Sequence, residues 1–336
     1  AHFLAFAEEA RPQLAGPEQG RWLARLDAER PNFIAAHRWC GRATEGTAAG
    51  YRLLHAIKPY LVVRGQFGLG LRLCVEALAR DDAALAAERS RCLTSAGQFC
   101  SMLGRYGEAR RHLEESLRLA RALGDERRVA IAMQPLCWAA LGEGDVAAAR
   151  DYAREAVVRS RRQDDPRELA GALNMLAQVH LYAGELAAAE PLLGEAIALT
   201  RGLGDRENIA VSLLNLAMVR INGGQLEKSA GLLREVSAIV AEIDSIPAGQ
   251  SLLEVCAAQS AAAGDWRRAA QRFGAAEAAS ARSGLQPTPA DAAFLAPWRE
   301  RAREGLGAER FAEAVAAGRA ADYDAALADA RVALSR

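Results

Sequence analysis

The chain has 336 residues, more than one hydrophobic core usually serves, so two domains or an extended repeat array is expected. Its 42 basic and 42 acidic residues cancel, which leaves no basic excess for a nucleic-acid surface or a polybasic membrane anchor. Abundant alanine, sparse β-branched residues and an aromatic content of 6% favour helix from end to end.

Residues 1–85 read as an N-terminal helical segment leading into an array, with a degenerate repeat around 45–82 marked by Gly65-Gln66-Phe67. The chain opens on Ala1-His2-Phe3, with neither an initiator methionine nor a secretory pattern, and a piece of a longer protein is the simplest expectation. No apolar run approaches the ~18 residues that a membrane span requires.

From Gly104 onward a turn word recurs at Gly104, Gly144, Gly184, Gly224 and Gly264, a step of 40 residues each time. A second turn keeps the same step at Leu123-Gly124-Asp125, Asp164-Asp165-Pro166, Leu203-Gly204-Asp205 and Asp244-Ser245-Ile246. Between the turns, apolar residues fall at helical spacing. Glycine ends the first helix of each unit, and Asp or Ser caps the next one. Five helix–turn–helix units are therefore expected over 86–284, at 86–124, 126–164, 166–204, 206–244 and 247–284.

Small residues recur in fixed columns. Gly97, Cys137, Ala177, Ala217 and Ala257 precede the turn glycines, while Ala109, Ala149, Ala189, Ser229 and Ala269 follow them. Such columns let neighbouring helices approach closely, and no unit buries its apolar face alone. The Pro287-Thr288-Pro289 break separates this array from capping helices over 285–336. The fold class is all-α: a right-handed superhelical array of antiparallel helix pairs with 40-residue repeats.

The turn word and the alanine columns resemble the tetratricopeptide repeat, whose usual period is roughly 34 residues. Here the second helix is expected to run on to the Leu-Gly-Asp turn, which accounts for the extra length. HEAT or armadillo arrays have periods of ~40–47 residues but lack this turn word. The segment from Trp22-Leu23-Ala24-Arg25-Leu26 to Trp39 resembles one that leads into the sensor region of STAND-class bacterial signalling ATPases, relatives of the LuxR-type and maltose-activator-type regulators. The tail words Arg301-Ala302-Arg303-Glu304-Gly305 and Phe311-Ala312-Glu313-Ala314 resemble the ends of such proteins. The resemblance implies a cytoplasmic regulatory scaffold that binds a protein or peptide segment, or a small-molecule inducer, and does not contact nucleic acid or membrane itself. A stand-alone peptide receptor is the alternative, and an enzyme with an unrecognised site is a third reading.

Nothing in the sequence points to catalysis or to a cofactor. The phosphate-binding GxxxxGK[ST] word is absent. The histidines His2, His37, His55, His112 and His180 form no HExxH and share no Cys/His ligand spacing. The six cysteines contain no CxxC pair and read as small core hydrophobes in a reducing compartment. Acid pairs such as Glu114-Glu115 and Asp81-Asp82 read as solvated surface. The arginines Arg110, Arg111, Arg118, Arg121, Arg150 and Arg154 alternate with Glu, as on an exposed salt-bridged helix face.

The resemblance to the tetratricopeptide repeat implies that the first helix of each unit lines the concave, ligand-facing side. The candidate groove holds Arg91, Thr94, Gln98 and Met102, then Gln134 and Trp138, then Asn174, Gln178 and Tyr182, then Met218. Amides can pair with a peptide backbone, while Trp138 and Tyr182 offer flat apolar faces with a polar handle. Pro135 is expected to interrupt its helix beside Trp138.

Overall fold

Four helices precede the periodic part: α1 (His2–Gln13), α2 (Gln19–Arg42), α3 (Gly46–Val63) and α4 (Phe67–Leu78). The computed structural model describes residues 2–43, 46–80 and 83–334, and every regular element among them is helical. Asp81 and Asp82 lie outside these residues. Five pairs follow: α5 (Ala86–Met102) with α6 (Tyr106–Ala122), α7 (Glu126–Gly142) with α8 (Val146–Gln163), α9 (Pro166–Tyr182) with α10 (Leu186–Leu203), α11 (Arg206–Asn222) with α12 (Leu226–Ile243), and α13 (Ile246–Ala262) with α14 (Trp266–Ser283). The chain continues through α15 (Pro289–Leu306), α16 (Ala308–Ala320) and α17 (Tyr323–Leu334).

Local chemistry fixes these bounds. Asp125, Asp165, Asp205 and Ser245 each accept a hydrogen bond from a backbone N–H of the first turn they precede, satisfying donors a helix start leaves open. The first turn of each unit passes through a left-handed glycine, such as Gly144 at φ 81°. The second turn requires the same conformation, which Gly124 and Gly204 adopt and which Asp164 and Asp244 also take, at φ 50° and 51°. The ten repeat helices are 17 or 18 residues long. The lengthening over a repeat of roughly 34 residues is thus shared by both helices instead of falling on the second.

The small columns lie at the helix contacts. Cys137, Ala177, Ala217 and Ala257 are wholly buried, as are Ala109, Ala149, Ala189, Ser229 and Ala269. Leu113, Leu193, Leu233 and Phe273 fill the spaces between them. The expected pattern of ion pairs along single helices is largely replaced by pairs between units. Arg110 reaches Glu143, Arg150 reaches Glu185 at 2.9 Å, Arg161 reaches Glu195 and Arg201 reaches Glu235. The reason is geometric: stacking sets the second helix of one unit beside the turn or second helix of the next, so its arginines meet acids there, some residues short of a full period on. Helix α7 runs unbroken through Pro135, whose ring nitrogen leaves the Ile131 carbonyl without an intrahelical donor.

Both ends fold back on the array. Arg64, at the end of α3, pairs with Asp27 and donates to the carbonyls of Ile243 and Asp244 at 2.7 and 2.8 Å. Gln19 accepts from the Glu207 N–H at 3.2 Å, and Arg167 donates to the Ala15 carbonyl at 3.1 Å. The N-terminal segment therefore lies across the turns of the later units. At the other end, α16 continues the stack by packing on α14, while α15 turns back to touch α7, α9 and α13. The residues after 285 are thus partly an insertion into the array, not only a cap beyond it.

The α14–α16 contact depends on two glycines. A Cβ on Gly318 would lie 1.8 Å from the Gln271 carbonyl oxygen, and one on Gly274 would lie 2.1 Å from that of Val315. The obstructing atoms are backbone, so relief requires the helices to part. Gly318→Ala is expected to destabilise the chain by ~1–3 kcal/mol. Thermal melting checks this, and an unchanged melting temperature would show that α16 does not dock at this distance.

Candidate functional site

The first helices of the units line the inner side of the superhelix, and the two returning ends close it into a channel. Position by position, Gln98, Trp138, Gln178 and Met218 form one ladder along its wall, each 40 residues from the last. Between Trp138 and Gln178 the ladder is tied: the indole Nε1 donates to Gln178 Oε1 at 2.6 Å. Trp138 lines two chambers, one on either side of this bridge.

The larger chamber, of about 540 Å³, is bounded by α1, α3, α5, α7, α9 and α11. Arg91, Thr94, Gln98, Gln134 and Trp138 line it. The Thr94 hydroxyl already bonds Ser116 Oγ at 2.8 Å, and the Gln134 amide leans over Gly171 to the Glu168 carbonyl. The repeat period gave no sign of the wall that α1 and α3 add through Arg11, His55 and Lys58. Pro59 deprives the His55 carbonyl of its helical donor, and Arg11 supplies the missing hydrogen bond. Burial and the neighbouring Arg11 push the Lys58 ammonium down to about 8. Burial, then Arg11, Arg91 and Lys58, push His55 down to about 3, so its ring is neutral at pH 7.

The smaller chamber, of about 130 Å³, is apolar in character and is walled by Met102, Tyr106, Leu214 and Met218. The strap from Leu285 to Pro289 closes it, fixed by the Gln286 N–H bonding the Met102 carbonyl at 2.9 Å. Two carboxyl groups stand in this setting. Burial, then Asp291, pushes Glu254 up to about 8, and its one hydrogen bond comes from Gln250 at 3.3 Å. Burial pushes Asp291 up to about 6; Oδ2 accepts from Thr288 N in a capping box, while Oδ1 has no partner.

Two of the expected groove residues lie elsewhere. Asn174 is buried between units, donating to Ser212 Oγ at 2.6 Å and accepting from Asn215 at 3.2 Å. Its amide is thus engaged within the stack and lines neither chamber. Tyr182 is half-buried against the core at the end of α9 and also lines neither. Near it, α15 covers the groove mouth, where Trp298 donates to Asn222 Oδ1 at 3.3 Å. His180 holds Glu185, which also takes Arg150. All six cysteines are free and buried. Among the described residues, no group of three metal-ligating side chains converges, and no helix is long and apolar enough to cross a membrane.

The fold is an all-helical solenoid of paired-helix repeats. Residues 169–204, spanning most of the α9–α10 unit, match the tetratricopeptide repeat family. No curated protein sequence matches the chain. Among solved structures, a Rap protein complexed with competence and sporulation factor superposes with a TM-score of 0.63 at 13% identity, over 95% of this chain and 81% of that one. Aspartyl phosphate phosphatase F from Bacillus subtilis superposes at 0.50 and 14% identity, over 94% and 82%. A STAND protein with a tetratricopeptide repeat sensor from Pyrococcus horikoshii gives 0.46 at 17% identity, over 86% and 46%. At such identities the likeness concerns fold alone.

The two raised carboxyls set a pH dependence. An acid with a higher pKa folded than unfolded stabilises the folded state only while protonated, so that contribution is lost as pH rises through the folded value. The contribution of these two carboxyls to stability is expected to fall as pH climbs from about 5 to about 8, against the opposite contribution of the depressed His55. Glu254→Gln should flatten this loss and raise stability at pH 8 by ~2 kcal/mol, the cost of one poorly solvated charge. Melting curves at pH 5.5 and 8 check both signs.

Proposed function

We propose that this chain is a non-catalytic binding scaffold whose channel receives an extended protein or peptide segment. The observation that carries this is the ladder Gln98–Trp138–Gln178–Met218 running between two open chambers. A strand-like ligand offers alternating side chains and a backbone of donors and acceptors. The ladder supplies amides for the backbone, and the Ile131 carbonyl beside Pro135 supplies an unclaimed acceptor. Trp138 supplies a large apolar face at the junction of the chambers. The fold-level likeness to a Rap protein complexed with competence and sporulation factor is consistent with a ligand in this position.

The same reading makes the chain the sensor part of a larger bacterial signalling regulator. Its support is the sequence word from Trp22 to Trp39 and the tail words after Arg301. In this reading, ligand contacts in the channel would bias the returning ends, α1–α3 and α15, between closed and open arrangements. A nucleotide-binding and winged-helix region encoded just upstream is the expected context, and a start codon immediately before Ala1 would overturn this part.

Selection of random peptides displayed on phage against the chain, with Trp138→Ala as counter-target, tests the binding role. Selected peptides are expected to bind Trp138→Ala at least tenfold more weakly, a loss of ~1.4 kcal/mol or more, while its helicity and melting temperature change little. Equal binding to the variant would sink the channel as the site. A parallel loss of melting temperature would assign Trp138 to packing.

A further inference from the structure

Ion pairing in the larger chamber is uneven. Six cationic and four acidic side chains face it, although the whole chain is balanced at 42 and 42. Three of the acids are already engaged: Asp125 holds Arg128 at 2.6 Å, Glu168 lies 3.7 Å from Arg127, and Asp205 lies 3.8 Å from Arg167. The fourth, Glu207, is buried and pushed up to about 7, so it carries only part of a negative charge at neutral pH, and among the described residues it makes no ion pair. That leaves Arg11, Lys58 and Arg91, from three different helices, with no carboxylate in ion-pair range among the described residues. There Arg11 bonds only the His55 carbonyl, and the side chains of Lys58 and Arg91 meet no hydrogen-bond acceptor among the described residues.

Three half-buried cations around one cavity repel each other, and folding alone gains nothing from collecting them. Their mutual field is visible in the neighbours: burial and then Arg91 bring Arg11 down to about 10, and the His55 proton is expelled. An arrangement of this kind becomes favourable when an anion enters, because each charge-assisted bond is formed where water screens it poorly. Two guanidinium forks suit the paired oxygens of a carboxylate or phosphate, and the ammonium adds a point charge.

We propose that the larger chamber is an oxyanion site, in which Arg11, Lys58 and Arg91 hold a carboxylate or phosphate group of the ligand. This rests on the channel being the binding site and adds the chemistry of what it selects. An acidic side chain or C-terminal carboxylate of a peptide is the source the ladder favours, and a free small anion is the other source of the same chemistry. The tests keep the two apart.

The probe is a fluorescein-labelled acidic hexapeptide rich in glutamate, with its glutamine counterpart and its C-terminally amidated form. Fluorescence polarisation is expected to give at least tenfold tighter binding of the acidic peptide than of the glutamine peptide. Lys58→Gln and Arg91→Gln should each remove most of that difference, and raised salt should weaken it. Weaker binding of the amidated form alone would assign the site to the chain terminus. Both variants should melt no lower than the parent, because each removes an unpaired charge. Equal binding of acidic and neutral peptides, or acidic binding unaffected by both variants, overturns the oxyanion site while leaving the peptide channel standing. If neither peptide binds, the peptide reading fails, and inorganic phosphate decides the site. A rise in melting temperature with phosphate that Lys58→Gln and Arg91→Gln abolish upholds the site for a small anion, and no rise overturns it.

Discussion

Close approach of neighbouring helices at the small-residue columns is the constraint on which the rest of the molecule depends. Wherever Ala, Ser, Gly or Cys stands at these contacts, one helix axis can settle against the next and the larger knobs find gaps. Because the columns repeat every 40 residues, the same offset is applied at each step, and a constant offset makes a superhelix. The inner surface of that superhelix is then a consequence of packing. It carries whatever residues the first helices present on the side away from the columns, which is why Gln98, Trp138, Gln178 and Met218 come into line.

A superhelix by itself leaves an open groove. Here the off-register ends convert it into a channel with two unlike chambers. Arg64 and Gln19 tie the N-terminal helices to the turns of later units, and these helices bring Arg11, His55 and Lys58 to the wall. The strap before α15 closes the other chamber with prolines and with Asp291. One chamber is therefore cationic and the other apolar with two carboxyls pushed upward by burial, of which Glu254 is held largely protonated at neutral pH. Their difference gives the channel a direction along which an asymmetric ligand would be sorted.

Stability and binding are in tension at these positions. Burial shifts Glu254, Asp291, Lys58 and Arg91 toward their neutral forms, and the opposite charges near Lys58 and Arg91 only partly offset it. Core alanines and inter-unit ion pairs hold the scaffold around them, so the poorly solvated groups are tolerated within a large stable array. Sites built for ligands commonly carry such groups, because what is unsatisfied in the free protein becomes satisfied on binding.

Much of this was legible in the sequence. The period, the glycine turns, the Asp and Ser caps and the columns are local features, and local geometry follows from them through hydrogen bonding and helical spacing. In the structure Arg91, Thr94, Gln98, Met102, Gln134, Trp138, Gln178 and Met218 line one or other of the two chambers. The local features misplaced Asn174, because a polar residue at a groove position can instead satisfy its amide against the next unit's Ser212 and Asn215. They also gave no hint of Tyr182 standing outside the chambers. What only the tertiary structure decided is how the two non-repeating ends lie across the array. Those contacts join residues such as Arg64 and Ile243, far apart in the chain, through backbone carbonyls that carry no side-chain signature. Periodicity thus determined the wall of the channel, and long-range docking of aperiodic segments determined its closure and its charge.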